Sequence, residues 1–185
     1  HPEYRCAPVA PFGDAHPQLL IVGLAPGFHG ANATGRPFTG DHAGVLLYET
    51  LYAFGWASAP VSVSCEDGLA LRGCRITNAV KCVPPANKPT PGEIATCNEF
   101  LRAELDALDP GTVVLALGAI AHAAVLRARG LRAAAYRFGH AAEHRLPDGR
   151  RLIDSYHCSR YNTQTRRLTP EMFRAVVGRA SELAR

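Results

Sequence analysis

His157, Ser159, Arg160 and Asn162 fall within six positions of one another in the segment Tyr156-His-Cys-Ser-Arg-Tyr-Asn-Thr163. An imidazole, a hydroxyl, a guanidinium and an amide in one short loop can donate to, accept from and enclose a polar ligand. Far upstream, Gly23-Leu-Ala-Pro-Gly27 follows directly on the apolar run Leu19-Leu-Ile-Val22. A Gly/Pro loop at the end of a buried strand lets the backbone approach a ligand closely. Continued to Asp41, this loop holds five glycines and two prolines in nineteen residues, with Phe28, His29, Asn32, Arg36, Phe38 and Asp41 among them. It is neither GxGxxG nor a P-loop, which disfavours a dinucleotide or nucleoside-triphosphate site. Phe38 is either core or a stacking face for a flat ligand. Asp41 either caps the following helix or orients a water. A third loop, Thr77 to Thr90, is stiffened by Pro84, Pro85 and Pro89. Its Asn78 and Asn87 either stabilise turns or present the donor–acceptor pair that reads an amide or imide edge.

These loops need a frame that brings them together. Four apolar, β-rich segments stand out, at Gln18–Gly23, Cys74–Val80, Thr112–Leu117 and Arg151–Asp154. Helical patterns lie between them, at Val45–Phe54, 90–108, Ala119–Arg129 and from Thr169-Pro170-Glu171 to about Ala184. Thr90-Pro91-Gly92-Glu93 reads as a capping box with proline at the first helical position. Pro147-Asp-Gly-Arg150 predicts a hairpin turn. Strands alternating with helices predict a three-layer α/β/α sandwich around a mostly parallel, four-stranded central sheet. In such sheets ligands bind beyond the carboxyl ends of the strands, where the loops after Gly23, Val80 and Asp154 all emerge.

At 185 residues and 47% hydrophobic composition, a single domain spanning 1–185 is expected. No stretch of about 18 apolar residues predicts a membrane span. The first residue is His1 rather than Met, so a processed or partial form is expected. The net charge of +4 permits an anionic partner. Arg160, Arg166 and Arg167 flank the His/Asn loop, and Lys81 and Lys88 flank the proline-rich one; any one of these reads as solvated surface charge, but three arginines in one loop also read as a phosphate-binding rim. The six cysteines contain no CxxC pair. Cys74 and Cys82, in or beside an apolar strand, are expected as buried thiols.

Taken together, Gly23-Leu-Ala-Pro-Gly27, Gly35-Arg-Pro-Phe-Thr-Gly-Asp41, Cys82-Val-Pro-Pro-Ala-Asn-Lys-Pro-Thr90 and Ser155-Tyr-His-Cys-Ser-Arg-Tyr-Asn-Thr163 resemble the uracil-DNA glycosylase superfamily, specifically its family 5 or iron–sulfur "B" branch. The resemblance covers nearly the whole chain. It implies a monofunctional enzyme of base-excision repair that hydrolyses the N-glycosidic bond of uracil in DNA and leaves an abasic site. An alternative on the same fold binds DNA or traps the lesion without turnover. By position, Phe38 would stack on the extruded base and Asn78 would read its Watson–Crick edge, against a backbone wall of Gly23, Ala25 and Gly27. His157 would hydrogen-bond uracil O2 as charge builds on the leaving base. Asp41, assisted by Asn87, and Asn162 in the closing loop complete the implied catalytic set. Ser159, Arg160, Arg166 and Arg167 would contact DNA as the 156–168 segment wedges into the duplex.

The resemblance also implies a 4Fe–4S cluster, with Cys82 and Cys97 as its third and fourth ligands. The first two family ligands come from an N-terminal CxxC that this chain does not contain. The expectation is a cluster completed by residues outside this chain, or none. Ala25 stands where other branches carry an acidic or amide residue, and Arg166 replaces the glycine that follows Asn-Thr-x-Thr. Asn78, where relatives can carry alanine, is expected to favour uracil over hypoxanthine or xanthine. A monomer acting on nucleoid DNA in the cytoplasm is the implied setting.

Overall fold

A computed structural model describes residues His1–Arg185. Six strands form one mixed sheet: β1 (Phe12–Gly13), β2 (Leu19–Gly23), β3 (Cys74–Asn78), β4 (Val113–Leu117), β5 (Glu143–Arg145) and β6 (Arg151–Ser155). Six helices accompany them: α1 (Ala31–Thr34), α2 (His42–Ala53), α3 (Pro91–Asp106), α4 (Ala119–Ala128), α5 (Arg160–Gln164) and α6 (Pro170–Ala184). The spatial order is β1-β3-β2-β4-β6-β5. The four expected strands are the parallel centre, β3-β2-β4-β6. The four-stranded sheet is therefore corrected to six, with β1 and β5 added antiparallel at the two edges. At two and three residues, both are too short to show a period. Only the Asp148-Gly149 turn pointed towards β5.

The central strands are buried on both sides, so they read as continuous apolar runs and not as alternating ones. Leu19, Ile21, Ile76, Leu115 and Ile153 pack with Leu47 and Leu51 of α2 and Phe173, Val176 and Val177 of α6. Leu20, Val22, Val114, Ala116 and Leu152 pack with Leu101 and Leu105 of α3 and Ala121, Ala124 and Val125 of α4. Successive residues of one strand thus feed opposite cores, as the two-residue strand period requires.

The caps follow the sequence. Glu93 N donates to Thr90 Oγ1 at 3.2 Å, and Thr90 N donates to Glu93 Oε2 at 2.6 Å, completing the predicted capping box. Thr169 Oγ1 accepts from Met172 N at 3.2 Å and starts α6. Each such cap contributes about 1 kcal/mol.

Within the parallel strands the order is the 2-1-3-4 of doubly wound sheets, with the change of winding direction at β2. Binding crevices open at such points. The loops leaving Gly23, Asn78 and Ser155 converge there. No helix is long and apolar enough to cross a membrane.

Candidate active site

A cavity of about 450 Å³ sits at this crevice, with Ala25, Gly27, Phe38, Asp41, Asn78, Asn87, His157, Ser159 and Arg160 on its walls. It falls within the size range of small-molecule sites. Residues separated by more than 130 positions in sequence meet here because β2, β3 and β6 end on the same edge of the sheet.

Asn78 is placed by strand register. It pairs with Gly23 across β2 and β3. A Cβ on Gly23 would overlap Asn78 Oδ1 and come within 2.6 Å of Phe38 Cζ, so glycine is required for both side chains to sit there. Asn78 is 3% exposed, and its Oδ1 has no hydrogen-bond partner within the protein. A buried amide oxygen left unpaired costs roughly 1–3 kcal/mol, which a ligand N–H on the cavity side would recover.

Phe38 is a core residue that also lines the cavity. It belongs to the core around α2 and is only 7% exposed, yet its ring faces the cavity. Its φ of +58° is unusual for a bulky residue. The surroundings enforce it. A Cβ on Gly44 would overlap the Phe38 carbonyl oxygen. On one side Tyr48 OH donates to Pro37 O at 2.7 Å, and on the other Thr39 Oγ1 and Ser62 Oγ share a 2.6 Å hydrogen bond. Backbone strain held in this way clusters at functional sites.

Asp41 stands at the N-cap of α2, but its side chain makes no capping hydrogen bond. The carboxylate turns instead into the glycine-rich loop. A Cβ on Gly27 would lie 2.5 Å from Asp41 Oδ1, and one on Gly30 would overlap the carboxyl group outright. Burial raises the Asp41 carboxyl above its ordinary value, against the opposing pull of the Ala31 and Gly27 amides and of His29. Of the two readings open for Asp41, capping is excluded.

His157 is pushed down to about 4 by burial, so its imidazole is neutral at physiological pH. Its ring lies near-parallel to Phe38, with centroids 5.9 Å apart and planes 24° from each other. A neutral imidazole can donate one hydrogen bond to a developing oxyanion without itself carrying charge.

Asn162 does not line the cavity. Its Nδ2 donates to the His157 carbonyl at 2.8 Å, a bond that holds the loop carrying His157. Ser159, besides facing the cavity, caps α5 by accepting from Asn162 N at 3.3 Å. The Ser159-x-x-Asn162 spacing carried that signal, but a five-residue helix leaves no periodicity to find. Asn87 Oδ1 accepts from Phe28 N at 3.2 Å, tying the proline-rich loop to the glycine-rich one. Ala86 and Asn87 both have positive φ. Arg160, Arg166 and Arg167 are all exposed, and Arg160 lines the cavity. Arg167 also lies 4.7 Å above the Tyr156 ring.

Lys81 is not a solvated surface charge. It is 7% exposed and ion-paired to Glu104 at 2.6 Å. Its ammonium also donates to Thr77 Oγ1 at 2.6 Å and to Asn78 O at 2.8 Å. It therefore braces the strand end that carries Asn78. His42 was not foreseen: it lines the cavity, and its Nε2 lies 3.2 Å from Thr163 Oγ1, joining α2 to α5. Its adjacency to Asp41 was the available clue. Arg36 also has a structural role, with its guanidinium on Asp67 at 2.7 Å and on Ser62 at 2.9 Å.

Cys82 is exposed rather than buried, while Cys74 is buried as expected. Cys82 and Cys97 line one cleft beside Val80, Pro84 and Gly92. Two thiols suit one side of a thiolate-held metal group. The other cysteines do not complete it: Cys74 and Cys158 lie in the core on the α2 and α6 face, Cys65 is exposed, and Cys6 lies 3.7 Å from Asn32 Nδ2. The residues of this chain alone do not make a four-thiolate cage.

Residues 10–180 match the Uracil DNA glycosylase superfamily. The chain is 50% identical over 181 residues to a type-5 uracil-DNA glycosylase of Thermus thermophilus, covering 98% of this chain and 82% of that protein. It is 44% identical over 178 residues to one of Pyrobaculum aerophilum, covering 96% and 77%. A crystal structure of Pedobacter heparinus SMUG2 shares the fold, with a TM-score of 0.53 at 16% identity over 88% of this chain and 74% of that one. On the match over residues 10–180 and on 44–50% identity to these type-5 enzymes along nearly its whole length, the chain belongs to the uracil-DNA glycosylase superfamily.

Proposed function

We propose that this protein is a monofunctional uracil-DNA glycosylase, built on an α/β/α sandwich, that releases uracil from DNA by hydrolysis. The observation that carries this reading is the unpartnered, buried Oδ1 of Asn78 on the cavity wall. It is an acceptor waiting for the N3–H of an extruded uracil, whose O4 would accept from the Asn78 amide. Thymine would add a methyl group, and cytosine would reverse the donor pattern at this edge. Reaching the base requires flipping it from the stack. Phe38 then offers its ring to the base face.

In the reaction, the C1′–N1 bond breaks and its electron pair leaves with the base, delocalised onto O2. His157 donates its N–H to that oxygen. A water held by Asp41, with Asn87 beside it, forms the new C1′–O bond. Asp41 takes the water proton and leaves an abasic hydroxyl. No lysine lines the cavity, and Lys81 is held in its ion pair with Glu104, which supports direct hydrolysis over a covalent amine intermediate. Arg160, Arg166 and Arg167 hold flanking phosphates. Cys82 and Cys97 are assigned as two ligands of the family's 4Fe–4S cluster; no step of hydrolysis passes through it. The setting we assign is a monomer on chromosomal DNA in the cytoplasm.

The test is incubation with a uracil-containing oligonucleotide, single-stranded and opposite guanine, followed by alkaline cleavage. Alkali-dependent cutting that Asp41→Ala abolishes supports the reading. DNA binding without any cutting overturns it in favour of a non-catalytic lesion binder.

A further inference from the structure

A cluster of ligating side chains lies outside the cavity, in the edge of the sheet that carries the closing loop. Asp154 on β6 is fully buried, and its only ion-pair partners are two imidazoles. His122 Nδ1, from α4, lies 2.7 Å from Asp154 Oδ1, and His144 Nε2, from β5, lies 3.0 Å from Asp154 Oδ2. One ligand atom from each residue falls within 4.8 Å of the other two. The cavity chemistry makes no use of these residues.

The second nitrogen of His122 is also accounted for. Its Nε2 lies 2.8 Å from the carbonyl oxygen of Tyr136, which can only accept, so Nε2 carries a proton and Nδ1 is the nitrogen turned towards Asp154. Metal-ligating histidines are held in this way, with the far N–H on a backbone carbonyl. The rings are fixed by aromatic edges: Phe138 meets His122 at 5.6 Å and Tyr136 meets His144 at 5.8 Å.

We propose that His122, His144 and Asp154 form a divalent-cation site, suited to Zn²⁺, that staples α4, β5 and β6 beneath the closing loop. Two imidazoles and one carboxylate are a Zn²⁺ donor set, with bonds of about 2.0–2.2 Å. Tetrahedral bonds of that length put ligand atoms roughly 3.3 Å apart. The 2.7 and 3.0 Å gaps must therefore open by about 0.3–0.6 Å, and the two imidazole nitrogens, which lie within 4.8 Å of each other, must settle at a similar spacing. Each gap is now a hydrogen bond carried by one proton. The cation replaces both: the His122 Nδ1 proton leaves to solvent, and that on His144 Nε2 leaves or moves to Nδ1. Asp154 lies three residues before His157, so the staple anchors the strand end from which the catalytic loop departs.

The test titrates the purified protein with Zn²⁺ and with Co²⁺ as a spectroscopic probe. The expected result is one equivalent of Co²⁺ giving visible d–d absorption without a thiolate-to-metal band, in wild type and equally in a Cys82→Ser/Cys97→Ser protein. Zn²⁺ at a hundredfold excess over its dissociation constant is expected to raise Tm by roughly 5–10 °C. His144→Gln, which keeps an amide donor to Asp154 at a partly exposed edge-strand position, is expected to lose both signals. Asp154→Asn is expected to lose them too, but because it changes a buried residue, His144→Gln is the deciding variant. No cation uptake, uptake that survives His144→Gln, or a signal with thiolate character that disappears with the two cysteines overturns the proposal.

Discussion

The carboxylate of Asp41 occupies the space that a side chain on Gly30 would need. This packing keeps Asp41 off the helix end it would otherwise cap and turns it towards the cavity. Gly30→Ala must displace that carboxylate. It is expected to lower the single-turnover rate of base release at least tenfold while leaving DNA affinity within about twofold, as loss of a group acting in the transition state predicts. Equal losses in rate and affinity would show that the glycine serves only to shape the loop.

Asp41 is also held at a cost to stability. Burial raises its carboxyl above the ordinary value, so the folded state binds that proton more tightly than the unfolded state does. The sign follows from linkage: stability is lost as pH rises through the shifted value. Asp41→Asn is therefore expected to keep only a small residual activity, with a Tm at neutral pH at or above that of wild type. A clear fall in Tm would mean that the carboxylate holds the fold together.

The pH–rate profile separates the two catalytic groups. His157 stays neutral down to about 4, whereas Asp41 loses its charge above the usual carboxylate range. The acid limb of kcat/KM should therefore belong to Asp41 and be absent from the residual activity of Asp41→Asn. For stability the sign at His157 is opposite. The unfolded chain binds its proton first, so the contribution of His157 falls away as pH drops from about 6.5 towards 4. Profiles of rate and of Tm in the same buffers check both.

His157→Ala is expected to slow single-turnover release roughly a hundredfold or more, corresponding to about 2.7–4 kcal/mol for a preorganised donor to a developing oxyanion. Asn162→Ala, which removes only the 2.8 Å bond to the His157 carbonyl, should cost less. The double variant should be no slower than His157→Ala alone. Additive losses would give Asn162 an independent role.

Asn78→Ala removes the unpaired acceptor. It is expected to erode the preference for uracil over hypoxanthine by at least tenfold, the scale on which a paired edge discriminates. Unchanged relative rates on the two substrates would show that Asn78 does not read the base.

Arg160→Ala should reduce the salt dependence of DNA binding by about one unit of slope. Lys81→Met should leave that slope unchanged and instead lower Tm, because it strands Glu104, only 17% exposed, without its cation. A change of slope in Lys81→Met would place that lysine among the phosphate contacts.

The sequence by itself determined the parts whose signal is local. The apolar runs at β2, β3, β4 and β6, the Thr90 and Thr169 caps, and the Gly/Pro and His/Asn loops all declare themselves within a few residues. Their order placed three loops at one edge of the sheet. Contacts made only in three dimensions had no such signal. Gly30 turns Asp41 from a cap into a cavity residue through a contact between loop backbone and side chain. The Lys81 charge, which reads as surface in one dimension, is buried because Glu104 on α3 lies against it. His42 reaches Thr163, 121 positions away, only after α2 and α5 meet. Asn78 is deprived of a partner because register sets it opposite a glycine. Periodicity and capping report what a residue does to its own backbone. Burial, pairing and protonation depend on which distant groups share its space, and that was decided by tertiary packing.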